Sequence, residues 1–149
     1  MKIEVAKSSD IPVLCDLLDS LFTQESEFKS DRNSQIRGLS SVIKNDDVGD
    51  ILIVRENDNI IAMVNILYTV STALGARVGI LEDMVVSKEG RGCGVGSKLL
   101  ERAMDFAREK GCKRITLLTD HDNEGAHRFY QKHDFSLSSM VVFRKSLAK

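Results

Sequence analysis

The sequence has one proline, three cysteines and almost no excess of charge, and each scarcity removes a class of protein. One proline beside ten glycines, with 42% hydrophobic and 29% charged residues, is the balance of a globular fold rather than of a disordered or fibrous chain. Cys15, Cys93 and Cys112 are odd in number and far apart, which argues against a disulfide framework and against the paired spacing of a zinc site. They read as reduced thiols. Lys and Arg number 21 against 22 Asp and Glu, a formal net charge of -1, so no overall field favours nucleic acid or a membrane surface. Any anion has to be held locally. No uninterrupted apolar run approaches the ~18 residues of a membrane span, and the opening MKIEVAKSSDIP has no apolar signal core. The expectation is a cytoplasmic protein with no membrane or nucleic-acid partner. At 149 residues it is expected to form a single domain, 1–149, able to bury about two thirds of its unfolded surface.

What is present is a mixed α/β pattern. Residues 2–6 alternate like a short strand, and SSD then offers N-cap candidates before Pro12. Ile11, Leu14, Cys15, Leu18, Leu21 and Phe22 recur at helical steps with Asp16 and Asp19 on the wet side, and Ile36, Leu39, Val42 and Ile43 mark a second helix. Residues 51–56 and 60–70 read as a hairpin about the turn NDN, and 77–87 as a third strand interrupted by Glu82 and Asp83. Alternation places the side chains of that carboxylate pair on opposite sheet faces. A helix over about 95–110 carries Val95, Leu99, Ala103 and Phe106 on one face and ends at Gly111. Residues 112–119 form a strand, 123–133 a short helix, and 135–147 one or two further strands. The sheet is antiparallel in its first half.

The stretch RGCGVGSKLL, residues 91–100, sets three glycines at a helix entrance. Glycines let backbone N–H groups line a concave turn, and the helix adds its own N–H groups and dipole, which makes an anion site. A plain strand-to-helix connection is the alternative. The triphosphate loop needs Gly-Lys-Ser/Thr, whereas Gly96 is followed by Ser97 and then Lys98; the dinucleotide fingerprint needs G-x-G-x-x-G, whereas Gly92, Gly94 and Gly96 give G-x-G-x-G.

Arg91, Gly94 and Gly96 between a strand and a long helix resemble the acetyl-CoA pyrophosphate loop of the GNAT family of N-acetyltransferases. ILEDMVV resembles that family's central strand. Asn123, Ala126, Phe129, Tyr130 and Phe135 resemble its second motif, N-x-x-A-x-x-F-Y before a G-F pair, with Asp134 standing where the family has glycine. The resemblance implies a single-domain GNAT fold, with a mixed sheet of about six to seven strands and about four helices. It implies acetyl-CoA as cosubstrate, no metal, and direct acetyl transfer to a primary amine. By resemblance, coenzyme A is held by Met84, Val85 and Val86, by Arg91, Gly92, Cys93, Gly94, Val95, Gly96 and Ser97, and by Asn123, Ala126, Phe129 and Tyr130.

Attack on the thioester needs a neutral amine, so a base must take its proton and an acid must protonate the departing thiolate. The resemblance makes Glu82 the base, commonly through water, and Tyr130 the acid; either carboxylate of the pair can instead be an exposed strand residue, and Tyr130 a packing residue. A central-strand N–H would hold the developing oxyanion. Asn123 can cap its helix, bind the pantetheine arm, or both. His121, His127 and His133 recur every six residues and fall on different helix faces, which argues against a metal site. Cys93 is expected to contribute only its backbone N–H.

For the acceptor, FTQESEFKSD sets Glu25, Glu27 and Asp31 beside Phe22 and Phe28. Phe22, Glu25, Glu27 and Asp83 are the residues offered to a cationic amine, with a solvated loop the alternative. The expectation is a small-molecule amine of polyamine, amino-sugar or amino-acid type; the alternatives are protein lysine or N-terminal acetylation, and a noncatalytic acyl-CoA binding module. A homodimer is the assembly common in the family.

Overall fold

A computed structural model describes residues 1–22 and 31–148. They fall into two compact units, Met1–Leu118 and Thr119–Lys149. The first unit runs β1 (Lys2–Val5), α1 (Ile11–Phe22), α2 (Arg32–Ile43), β2 (Gly49–Glu56), β3 (Asn59–Ser71), β4 (Ala76–Val86), α3 (Val95–Glu109) and β5 (Ile115–Leu117); the second carries α4 (Glu124–Lys132). The five strands lie in sequence order in one sheet. Successive pairs are antiparallel up to β3–β4, and β4 and β5 are parallel, as a crossover through α3 requires.

Local chemistry explains the joints. Asn57 and Asp58 turn β2 into β3 with φ of 51° and 66°, the two positive values of a tight two-residue hairpin loop, in residues that tolerate them. SSD does not cap α1 directly. It forms a 3-10 turn, Ser8–Asp10, whose Asp10 carboxylate accepts from the Lys7 N–H (2.9 Å) and from Arg55 (3.0 Å). Arg55 also donates to Glu4 (2.7 Å), which ties the start of α1 to β1 and β2. Asp16 is exposed, as expected, whereas Asp19 is half-buried, and both pair with Arg32 of α2, at 2.8 and 3.5 Å.

The core has two layers divided by the sheet. On one face Leu14, Cys15, Leu18, Leu39 and Val42 of α1 and α2 meet Ile51, Ile53, Met63 and Val85. Gln35 of α2 is buried and Ile36 exposed, so the inward stripe is rotated from the expected one; the Gln35 amide is matched by Asp19 Oδ1 at 2.9 Å. On the other face α3 packs on β2 and β3 through Val95, Leu99, Leu100 and Ala103, over alternate strand residues such as Leu52, Val54, Val64 and Ile66.

Two expectations about the sheet are corrected. The strand expected over 112–119 shrinks to Ile115–Leu117, and 135–147 forms no ladder, so the described sheet has five strands rather than six or seven. The reason is exposure. Leu137, Met140 and Phe143 are 82%, 85% and 96% exposed, and a strand-like sequence with neither a paired edge nor a covered face has nothing to hold it in a sheet. Among the described residues, no helix is long and apolar enough to cross a membrane.

Candidate functional site

β4 changes character at its middle. Leu81 is its last residue laddered to β5, opposite Leu117, and beyond it the strand continues to Val86 with β3 as its ladder partner among the described residues. The register on β3 also slips there: Asn65 faces Glu82 while Met63 faces Val85, so Val64 stands against both Asp83 and Met84. This is a β-bulge, and Asp83 is its left-handed residue, with φ of 54°.

The bulge overturns the expectation that Glu82 and Asp83 face opposite ways. Glu82 shares a face with its cross-strand partner Asn65, and the Asn65 Nδ2 donates to Asp83 Oδ2 at 3.4 Å. One extra residue cancels the period of two, and both carboxylates reach the side covered by α1 and α2. Their environments differ. Glu82 is exposed, whereas burial, and next the Glu82 charge, push the Asp83 carboxyl up to about 6 against the smaller opposing effect of the Asn65 bond. Asn65 was not among the residues singled out from sequence. Its signal was a lone amide inside the apolar run IIAMVNILYTV.

Past the bulge, the Ser87 N–H donates to Ile61 O at 2.8 Å. Antiparallel alternation then turns the backbone groups of Val85 towards β3 and those of Val86 towards the edge that β5 has left. Arg91 Nε donates to the Val86 carbonyl at 3.2 Å, so Arg91 straps the glycine turn to that edge. The turn needs glycine at two places, Gly92 with φ of 83° and Gly94 with φ of 74°. Gly94 is the N-cap of α3, and its carbonyl accepts from the Lys98 N–H at 3.1 Å. Helix geometry aims the amides of Val95 and Gly96, inside that first turn, at the loop. Met84, Val85, Val86 and the 91–97 turn thus lie on one continuous path, from an open strand edge to a helix N-terminus.

A cavity of about 320 Å³ lies behind this turn, lined by Glu56, Asn57, Asn59, Ile61, Glu89, Gly90, Cys93 and Val95. Its two carboxylates, Glu56 and Glu89, disfavour a phosphate there. Cys93 is exposed.

In the second unit the Asn123 side chain caps α4 by accepting from the Ala126 N–H at 3.1 Å. Phe129 and Tyr130 share one helix face, with ring centroids 5.2 Å apart. Burial pushes the Tyr130 hydroxyl up to about 12, so it is protonated at neutral pH. α4 ends with the Phe135 N–H on Tyr130 O (3.0 Å) and the Asp134 N–H on Gln131 O (3.1 Å), with the Phe135 ring 5.6 Å from that of Tyr130. This is a Schellman termination, and Asp134 takes its left-handed position with φ of 69°. The residue that departs from the glycine pattern therefore still makes the turn. His127 bonds Asp120 O through Nε2 at 3.1 Å, and no cluster of metal-ligating side chains occurs among the described residues. Glu25, Glu27 and the side chain of Phe22 lie outside the described residues.

The "Acetyltransferase (GNAT) family" model matches residues 12–135, a span that includes both the β4 bulge and the Asn123–Phe135 segment. An uncharacterized N-acetyltransferase of Bacillus subtilis (strain 168), YhfO, is 32% identical over 138 residues, which are 91% of this chain and 89% of YhfO. Among solved structures, a possible acetyltransferase from Clostridium difficile 630 superposes with a TM-score of 0.89 at 14% identity, over 99% of this chain and 98% of that one. A predicted acetyltransferase with acetyl-CoA from Clostridium acetobutylicum gives 0.81 at 20% identity, over 97% and 95%. These two show a shared fold, and the family match with the B. subtilis relative shows descent: the chain belongs to the GNAT family and is an acetyltransferase.

Proposed function

We propose that this chain transfers an acetyl group from acetyl-CoA directly to a primary amine of a small molecule, of polyamine, amino-sugar or amino-acid type, and that residues 1–149 work as one N-acetyltransferase domain. The observation that carries the reading is the edge of β4. Its backbone is released from β5 after Leu81 and leads past a bulge into the glycine turn and the first amides of α3. A pantetheine arm needs such an unpaired strand edge, and a pyrophosphate needs such a turn. The bulge sets a pair of carboxylates, Glu82 and Asp83, beside that edge, which favours a cationic acceptor over an anionic one.

In this reading the Met84–Val86 backbone and the 91–97 turn hold coenzyme A, with Asn123, Ala126, Phe129 and Tyr130 assigned to it by the family motif. A backbone N–H of the bulged strand holds the oxyanion that forms as nitrogen attacks. Glu82 and Asp83 are the two groups able to take the amine proton. Tyr130 returns a proton to the thiolate, and its buried, protonated hydroxyl supports that role. Cys15, Cys93 and Cys112 are all unpaired, which supports a reducing compartment, the cytoplasm. The exposed apolar side chains of Leu137, Met140 and Phe143 support a homodimer.

The test is thiol release from acetyl-CoA with polyamines, amino sugars, amino acids and lysine-containing peptides as acceptors. Release with a small amine, reduced in Tyr130→Phe by about 10²-fold with acetyl-CoA affinity kept, is the expected result. Release with peptides alone moves the chain to the protein acetyltransferases. Tight acetyl-CoA binding with no release leaves a noncatalytic acyl-CoA module, and unchanged turnover in Tyr130→Phe removes Tyr130 as the acid.

A further inference from the structure

The cavity behind the glycine turn has no part in the acetyl-transfer reading. Three separate stretches enclose it: the tip of the β2–β3 hairpin, the turn that follows β4, and the entrance to α3. Its polar wall is Glu56, Asn57, Asn59 and Glu89, and its apolar wall is Ile61 and Val95. At about 320 Å³ it lies at the small end of ligand pockets, which suits a ligand of few heavy atoms. Its frame is held by the backbone. The Ser87 N–H donates to Ile61 O at 2.8 Å, and the Gly90 N–H donates to Ser87 O at 3.1 Å. A Cβ on Gly90 would stand 3.2 Å from Val86 Cγ1 and 3.3 Å from Ile61 Cδ1, so the turn that carries Glu89 is packed directly on β3 and β4.

Glu56 and Glu89 form no ion pair among the described residues. Lys88 and Arg91, the basic neighbours of Glu89 in sequence, do not line the cavity, and Arg91 is engaged by the Val86 carbonyl. Two uncompensated carboxylates on one cavity repel an anion and gain nothing from a neutral ligand. A metal ion fits poorly: among the described residues no three His, Cys, Asp or Glu side chains gather to hold one, and Ile61 and Val95 offer a hydrated ion no oxygen ligand. A short aliphatic diamine matches both walls. Each ammonium carries three N–H donors, enough for a glutamate and the side-chain oxygen of Asn57 or Asn59, while the methylene chain covers Ile61 and Val95.

We propose that this cavity is an effector site for a short aliphatic diamine, and that its occupancy strengthens coenzyme A binding. Val95 belongs both to the cavity wall and to the first turn of α3, and Cys93, also in the wall, stands between the left-handed Gly92 and Gly94. A ligand that ties these residues to the hairpin tip restrains the glycine turn, which leaves less freedom for coenzyme A to remove when it binds. By linkage, coenzyme A strengthens diamine binding by the same factor. The site stands on the cavity; its effect on coenzyme A rests on the acetyl-transfer reading above.

The experiment titrates 1,4-diaminobutane dihydrochloride into the 15N-labelled chain at constant chloride. Saturable shifts are expected at the backbone amides of Gly90 and Cys93 and the side-chain amides of Asn57 and Asn59. The uncharged analogue 1,4-butanediol is expected to shift none of them. Glu56→Gln combined with Glu89→Gln, both exposed, is expected to keep the thermal midpoint and weaken the diamine about tenfold. Resonances that stay put, equal affinity in the double variant, or tighter binding of magnesium chloride than of the diamine at these resonances overturn the site. Calorimetry then measures coenzyme A, which cannot be turned over, with and without saturating diamine. The Kd is expected to fall about fivefold in the wild type and to stay constant in the double variant; a constant Kd in the wild type overturns the coupling. A chain that does not bind coenzyme A refutes the acetyl-transfer reading, and the resonances alone then decide the effector site.

Discussion

Asp83 pairs a backbone cost with an electrostatic one, and the second is measurable without knowing any substrate. Its carboxyl is raised to about 6 in the fold, against ~3.9 in an unfolded chain. Between those values the folded state binds the extra proton, so this residue's contribution falls as pH rises through the window and reaches its full penalty above about pH 6. Glu82 is the charged neighbour that adds to the shift, and the Asn65 amide opposes it. Asp83→Asn removes the penalty and keeps the bond to Asn65. Denaturant unfolding at pH 8 should find the variant more stable than wild type, by at most ~3 kcal/mol, with the two converging near pH 4. A difference that does not change with pH would show that Asp83 is not held away from water. At this scale the sequence was informative about identity and uninformative about direction. The adjacency of Glu82 and Asp83 could be read off the chain, but their common face could not, because the bulge that creates it depends on the pairing with β3. Asp134 is the converse case. The glycine of the resembling motif is replaced, yet Asp is among the few residues that accept positive φ, and the Schellman hydrogen bonds form.

Among the elements, those with a strong period were legible, and those held by long-range partners were not. α1 and α3 could be placed from apolar steps alone, and the β2–β3 hairpin from its turn chemistry. β5 was overestimated because Ile115, Leu117 and Leu118 do not reveal where a neighbouring strand ends. The apolar pattern of 135–147 reads as one or two strands, and such a pattern is realised as strand only where an edge is available. A part-buried pair that the sequence did not flag holds the opposite end of the sheet. The Tyr68 hydroxyl of β3 donates to Asp50 of β2 at 2.6 Å, Asp50 is 7% exposed, and Arg77 of β4 lies 4.7 Å over the Tyr68 ring. Burial and the Asp50 carboxylate both push the Tyr68 hydroxyl upward, so it remains a donor at any working pH. Tyr68→Phe strips the carboxylate of that donor and leaves Lys110, at 4.0 Å, as the nearby cation. The expected loss is about 1–3 kcal/mol in denaturant unfolding at pH 7, with no change in KM for acetyl-CoA. An unaltered midpoint would mean that water replaces the phenol.

For the whole molecule, the exposed side chains of 137–147 are the feature that a single chain leaves without a purpose. Large apolar groups at 80% exposure and above favour burial against a second copy. Light scattering after size exclusion should find a dimer, and Phe143→Ser with Met140→Ser should shift it towards monomer; a monomeric wild type would contradict this reading of the segment. The fold class and the glycine turn were legible at this scale because β4, that turn and α3 form one local run of sequence. The proposed acceptor site was less so, since the common face of Glu82 and Asp83 is set by sheet register, and FTQESEFKSD lies mostly outside the described residues. The account rests on acetyl transfer to nitrogen, and one measurement bears on it most directly. Purified protein, acetyl-CoA and the amine panel are incubated together, with free thiol and N-acetylated product quantified in parallel. The account predicts one thiol for each amide formed with at least one small primary amine, and none when the amine is left out. Thiol release that is independent of amine, or no product with any acceptor despite saturating acetyl-CoA, would contradict it.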